Sequence, residues 1–464
     1  MLFNSLVFLF AFLPVTYVVF WCLRTTLQRH VWLTITGYVF YGYWDPRFCL
    51  LMAFTTLVSY SAGRGFLSTQ NPSYRKWLLV LPITVDLSVL GFFKYAGFFT
   101  RSLNDFADLL GWRTDLPVLD VILPIGISFY TFHTITYIVD AYRGHITPTR
   151  SFWEFGAYVS LFSQLVAGPI VRFRQIEKDL EHVGEAHRRQ GLPVGLSFLA
   201  FGMFEKVIIA DTLAYFVDPA LDQYNSLSTV GAWLSMFGYT FQLYFDFAGY
   251  SAMAVGLGLM FGLRIPQNFN SPYRAENPSD FWRRWHISLS TVMRDYLYIP
   301  LGGNRGPTWM MYRNLMITML IGGLWHGANW TFVIWGAYHG MLLLGYHYAS
   351  SHGLSMPRPA AQLVTFILVV IGWVFFRSAN LGMAEDLLHK MFVPQSGELP
   401  QEVVKFTSVA VLAAILARWA PNAFEYHRDF SPTATRMAAA AAVLGCSVAL
   451  IAGSRASPFL YFQF

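Results

Sequence analysis

A chain of 464 residues with 55% apolar and only 12% charged side chains, and a mean hydropathy of +0.43, cannot cover a water-exposed surface of its size, because soluble domains carry about 25% charged residues. Its formal charge of +6 is spread over short loops between apolar runs, which argues against a nucleic-acid-binding patch and for the orienting loops of a membrane protein. Cys22, Cys49 and Cys446 lie too far apart for a paired zinc or disulfide pattern and read as apolar side chains.

The first run, Leu2 to Leu23, is long enough to cross the hydrocarbon core, which takes about 20 residues. No basic residue precedes it, no small-residue cleavage site follows, and Arg24 and Arg29 come directly after. It reads as a retained first helix with its N-terminus outside. Apolar runs at about 31–43, 48–62, 77–96, 117–138, 152–170, 192–217, 229–263, 314–348, 361–376, 404–419 and 434–452 follow. Together they predict about ten to twelve membrane or re-entrant segments. Two runs exceed one crossing, and Pro124-Ile125-Gly126 and Gly168-Pro169 interrupt others. Broken helices at membrane depth line a cavity or a protein interior. Basic clusters at Arg24/Arg29, Arg64/Arg75/Lys76, Arg172 to Arg189 and Arg264 to Arg313 favour the cytoplasmic side. Without an internal repeat, a low-complexity tract or a linker, residues 1–464 read as one membrane domain.

The longest polar stretch, Asn268 to Asn314, is rich in aromatics. Asn277 before Pro278 is a helix start, and Phe281, Trp285, Leu289, Val292 and Tyr296 recur at helical spacing. They predict one amphipathic helix, lying in the interface or dipping into the protein, that carries His286.

His326 lies in IGGLWHGANWTFVIWGAYHG, an apolar run where an ionisable side chain is costly and marks a functional candidate. A solitary histidine there also serves as a hydrogen-bonded core residue. Gly322, Gly323 and Gly327 would admit a close backbone or substrate. His286 has the mundane alternative of facing headgroups. His339 reads as packed or interfacial, and His133 as ambiguous. Asp246 needs a partner at its depth, such as a histidine, an arginine or backbone donors, and structural pairing is the simpler reading. Gly256, Gly258 and Gly262 read as close helix packing. The chain has no G-x-S-x-G, H-E-x-x-H or G-x-x-x-x-G-K-[ST] motif. Glu181, His182, Glu185 and His187 lack a recognised metal spacing, so no metal site is expected.

The strings LFSQLVAGPIVRF, FQLYFDFAGYS, NFNSPY, DFWRRWHISLSTVMRDYLYIPLGGNR, RNLMITMLIGGLWHGANWTFVIWGAYHG, GWVFFRSANL and the ending FLYFQF resemble the membrane-bound O-acyltransferase (MBOAT) family. The resemblance runs nearly from end to end and is most specific from Phe281 to His339. It implies an all-α integral membrane protein with its helices around a central tunnel, a catalytic core over about residues 120–345, and a place in the bacterial inner membrane. The most similar branch acetylates exported polysaccharide, alginate first, and related branches act on cellulose or peptidoglycan or export D-alanine to teichoic acids.

The resemblance makes His326, in LWHGAN, the essential histidine and His286, in WRRWH, the second polar residue of the site. The two would meet in the tunnel, where acetyl-coenzyme A or another cytoplasmic acyl thioester passes its acyl group outward, with no permanently bound cofactor. His326 would act as base, and His286 would orient the donor or bind the oxyanion. Arg283, Arg284 and Arg294 would attract the donor's phosphates, with anchoring to lipid headgroups the alternative. Ala252 in GYSAMA stands where the family carries an acidic residue, and His133 where it often carries Glu or Gln, so no role transfers to either. The chain stops at Phe464 without an extension, which suggests a separate extracytoplasmic partner with a Ser-His-Asp triad. A transporter would also show broken helices and buried charges, though the lack of repeat symmetry argues against it. An acyltransferase acting on lipid would need a lateral opening.

Overall fold

The computed structural model describes all residues except 113–115, 120, 167, 185–187, 454–459 and 461–464. Among the described residues every regular element is a helix, and β structure is limited to one bridge between Leu227 and Glu398. Among the described residues five stretches are long and apolar enough to cross a membrane: Pro72–Leu109, Gly191–Asp222, Thr229–Met260, Arg358–Arg377 and Ala434–Ala452. Arg47–Ser68 and Trp330–Ser351 are helices of 22 residues each. The first run is helical over the shorter span Phe8–Cys22. By contacts the chain divides into two compact units.

The first unit holds Phe10–Arg188 with Met260–Ile265 and Met1. Its helix starts follow local capping chemistry. Thr25 and Gln28 form a capping box ahead of Thr26–Gly42, and Asn71 accepts from the Ser73 and Tyr74 N–H groups before Pro72. Gly126, at a φ of +79°, breaks the 117–138 run and opens Ile127–Arg143. The run at 152–170 does not form one span. It yields Phe152–Val159 and Phe162–Leu165, because polar groups interrupt it: the Gln164 amide donates to the Tyr158 carbonyl at 2.6 Å. His133 is fully buried in this unit, its ring 5.5 Å from that of Tyr158.

The second unit holds Leu2–Leu9, Arg189–Leu259 and Pro266–Phe464. The run at 229–263, too long for one simple crossing, is a single 32-residue helix, Thr229–Met260, that is almost wholly buried. Gly256 packs so closely that a Cβ would lie 2.5 Å from the Gly195 carbonyl oxygen, the tight helix contact expected of it. Gly262 instead sits just past the helix end at a φ of +81°, a stopping position that suits glycine. Asp246 is paired structurally. Its partner is Lys206 at 2.5 Å, supplemented by the Leu460 N–H at 2.9 Å, and Lys206 also meets Asp211 at 2.7 Å. Lys206 and Asp211 are brought into register by a π-helical turn, Phe204–Ala210.

Candidate active site

Asn277 caps Pro278–Arg284 by accepting from the Asp280 N–H at 2.8 Å, as Asn-Pro at a helix start predicts. The expected unbroken helix to Tyr296 does not form. The chain turns at His286, whose φ of +44° is left-handed, then resumes as Ile287–Met293 and a π-helical turn, Arg294–Tyr298. The break is stabilised by a distant piece of chain. Asn270 N–H donates to the Arg284 carbonyl at 2.9 Å and Ile287 N–H to the Asn268 carbonyl at 2.8 Å. The Asn268 side-chain oxygen accepts from the Ser288 N–H at 3.2 Å and the Ser288 hydroxyl at 2.9 Å, and lies 3.1 Å from His286 Nδ1. Asn268 thus caps a helix that begins 19 positions later, and these bonds override the local helical period.

The run at 314–348 also divides. Thr308–His326 and Trp330–Ser351 pack against each other, joined by a turn in which Asn329 caps the second helix through the Thr331 N–H at 3.1 Å. His326 is therefore the last residue of a helix, beside a reversal of the chain, and only 4% exposed. The neighbouring glycines divide the work foreseen for them. A Cβ on Gly323 would fall 2.3 Å from the Phe332 carbonyl oxygen, so this is where the two helices touch, whereas Gly322 has nothing within 4 Å.

Gly322 faces a cavity of about 510 Å³, within the usual range for small-molecule sites. His326, Trp282, Trp335, Arg283, Arg294 and His347 lie in its wall. The His326 ring is fixed edge-on against Trp335 at 5.0 Å and against Phe376 at 5.3 Å. His286 stands next to it, with ring centroids 6.4 Å apart. It is fully buried, against Phe247 at 4.7 Å and Trp325 at 5.9 Å, and does not belong to the cavity wall.

Of the residues singled out from sequence, then, His326, Arg283 and Arg294 share one cavity and His286 adjoins His326. Arg284 is directed elsewhere: its Nε is 3.0 Å from both Asp280 oxygens, and its Nη1 donates to the Asn270 carbonyl at 3.3 Å. His339 is packed, as read, behind Trp335 at 4.9 Å and Trp282 at 5.2 Å. Sequence reasoning gave no role to Asn268 or His347. His347 lies four positions after Leu343, another residue of the cavity wall on the same helical face, and only the cavity draws attention to either. Asn268 opens the string NFNSPY, but nothing in that string says what its side chain holds. Among the described residues no group of His, Cys, Asp and Glu could hold a metal, and Glu185 and His187 lie outside the described residues.

The sequence model of the membrane-bound O-acyltransferase family matches residues 123–384, a stretch that includes both histidines and the cavity. The chain belongs to the MBOAT family. It is 46% identical to the "probable alginate O-acetylase AlgI" of Pseudomonas aeruginosa over 84% of this chain and 75% of that protein. It is 41% identical to the protein of the same name from Pseudomonas putida over the full length of both. The "peptidoglycan O-acetyltransferase" of Helicobacter pylori is 39% identical over 84% of this chain and 80% of that one. As an MBOAT protein the chain is a multi-pass, membrane-bound O-acyltransferase.

Proposed function

We propose that this MBOAT protein sits in the bacterial inner membrane and transfers acetyl from a cytoplasmic thioester, acetyl-coenzyme A first among candidates, to hydroxyls of an exported polysaccharide. Alginate is the first candidate acceptor, because the alginate O-acetylases named above match most or all of the chain. The observation that carries the mechanism is the position of His326, an imidazole in the wall of a cavity that also presents Arg283 and Arg294.

In this reading a neutral His326 takes the proton of the hydroxyl that first accepts the acetyl group as its oxygen attacks the thioester carbonyl, an effect worth about 10² to 10⁴ in rate. The carbon–sulfur bond breaks, the thiolate leaves, and the proton passes to it, so that an ester and a free thiol result. His286, beside His326, is the second polar group and orients the donor. Arg283 and Arg294 hold the donor's phosphates through charge-assisted bonds, and Arg284 serves structure through Asp280. The cavity is one mouth of a tunnel that lets the acetyl group cross the membrane, and a separate extracytoplasmic protein with a Ser-His-Asp triad completes the transfer.

The test is ester-linked acetate on the extracellular polysaccharide, compared between wild type and His326→Ala at equal amounts of folded membrane protein. Loss of acetate is expected; unchanged acetate would overturn the role of His326. A second acceptor, peptidoglycan, is favoured by the Helicobacter pylori relative. If wild-type acetate is found on peptidoglycan and disappears there in the variant, the mechanism stands and the acceptor changes.

A further inference from the structure

We infer that Glu205, Ser251 and Asn268 form a buried polar support, completed by one water molecule, that holds His286 with its proton on Nδ1. The inference deepens the reading of His286 as part of the transfer site and rests on it for its functional meaning.

The orientation of the Asn268 amide is not a free choice. A backbone N–H can only donate, so the atom that faces Ser288 N–H at 3.2 Å is the amide oxygen. The same oxygen lies 3.1 Å from His286 Nδ1, so Nδ1 must bring the hydrogen, and Nε2 keeps the lone pair. The left-handed backbone at His286 and the cap on Ser288 hold ring and amide in this register. On its other side the Asn268 amide donates to Ser251 Oγ at 3.2 Å. Ser251 then has its own hydroxyl proton to direct elsewhere.

Beside it is a cavity of about 20 Å³, bordered by Ser251, Asn268, Tyr244, Asn422 and Glu205. That is room for a single water, which needs about 10–15 Å³. Glu205 is 5% exposed, and its Oε2 has no hydrogen-bond partner among the described protein groups, a condition that a buried carboxyl oxygen rarely keeps. It stands on the π-helical turn Phe204–Ala210, a local irregularity that recurs at functional sites. A water in this cavity accepts or donates between Glu205 and Ser251 and closes the line Glu205, water, Ser251, Asn268, His286. These are positioning residues, since they act on the reaction only through the His286 ring.

The experiment is ¹⁵N NMR of the histidine rings in the full chain in lipid bilayers, with His286 assigned by its disappearance in His286→Ala. Wild type should show the Nδ1–H form. Asn268→Leu should move the ring to the Nε2–H form and lower ester-linked acetate per folded protein at least tenfold, while Asn268→Asp, which keeps the acceptor, should retain the Nδ1–H ring. Glu205→Gln, which still binds the water, should leave the spectrum unchanged, and Glu205→Leu should shift it. An Nε2–H ring in wild type, or no change in Asn268→Leu, overturns the inference. An unshifted Glu205→Leu removes Glu205 and the water from it. Full acetate in His286→Ala would instead sink the catalytic reading while leaving the assignment of the tautomer intact.

Discussion

The second unit buries two polar assemblies of different character. Around Lys206 the charges are closed on one another: the ammonium is fully buried between Asp211 and Asp246, and the Leu460 N–H caps the remaining side of Asp246. Around His326 the aromatic rings fix the imidazole but leave it at the wall of a cavity of about 510 Å³. Both assemblies sit where ionisable groups are costly, and both would be flagged as functional on that ground alone. The difference lies in access. A closed ion cluster has its interactions within the fold, whereas an imidazole that meets empty space can exchange a proton with something that enters.

The comparison breaks if the two assemblies respond alike to mutation. The largest expected effect is on His326→Ala, which should lower acetate transfer by about 10² to 10⁴ with no change in the thermal unfolding of the detergent-solubilised protein. Lys206→Met should do the reverse. It leaves two buried carboxylates without their common cation, a loss of about 3–5 kcal/mol. It should appear as a lower unfolding temperature and less protein in the membrane, with the acetate transferred per folded molecule near wild type. Adding Asp246→Leu to Lys206→Met should recover part of that stability, because contacting partners are not additive. A Lys206 variant that folds normally but transfers no acetate would erase the distinction.

How much of this could be read from sequence follows the range of the forces involved. Local chemistry was legible: the Asn277-Pro278 start, the need of Asp246 for a partner, and the candidacy of His326 in an apolar run all rest on neighbours in the chain. The break at His286 was not, because the groups that stabilise it come from Asn268 and Asn270, outside the window in which helical periodicity is counted. Lys206 as the partner of Asp246 lies 40 positions away (246 − 206) on another helix, and nothing in either run announces the pairing. The resemblance to the MBOAT family pointed to both histidines and included Asn268 in NFNSPY, but gave it no role, because its part lies in hydrogen-bond geometry.

A smaller effect separates two adjacent glycines. Gly323→Ala places a methyl 2.3 Å from the Phe332 carbonyl oxygen, and backbone must shift to admit it, at about 1–3 kcal/mol. Gly322→Ala meets nothing within 4 Å but adds its methyl to the cavity wall. The first should lower the unfolding temperature, and the second should leave it unchanged while altering the KM for the donor. Equal destabilisation by both would mean that the cavity beside His326 is filled in the folded protein.

An effect of similar size tests whether that cavity takes the donor's phosphates, and it sets neighbouring arginines against each other. Arg283 lies in the cavity wall, where Nη2 reaches the Ser279 hydroxyl at 3.3 Å, so its charge is largely uncommitted to the fold. Arg284, one position on, is turned away and held by both oxygens of Asp280. If a charge-assisted bond to phosphate is lost, worth about 1.5–3 kcal/mol, Arg283→Ala and Arg294→Ala should each raise the KM for acetyl-coenzyme A about tenfold or more with kcat nearly unchanged. Arg284→Ala should leave KM alone and cost only stability. Repeating the titration with acetyl-pantetheine, which lacks the nucleotide phosphates, separates donor binding from lipid anchoring. The difference between wild type and Arg283→Ala should vanish with the truncated donor if the arginine binds those phosphates, and persist if it merely seats the segment against headgroups.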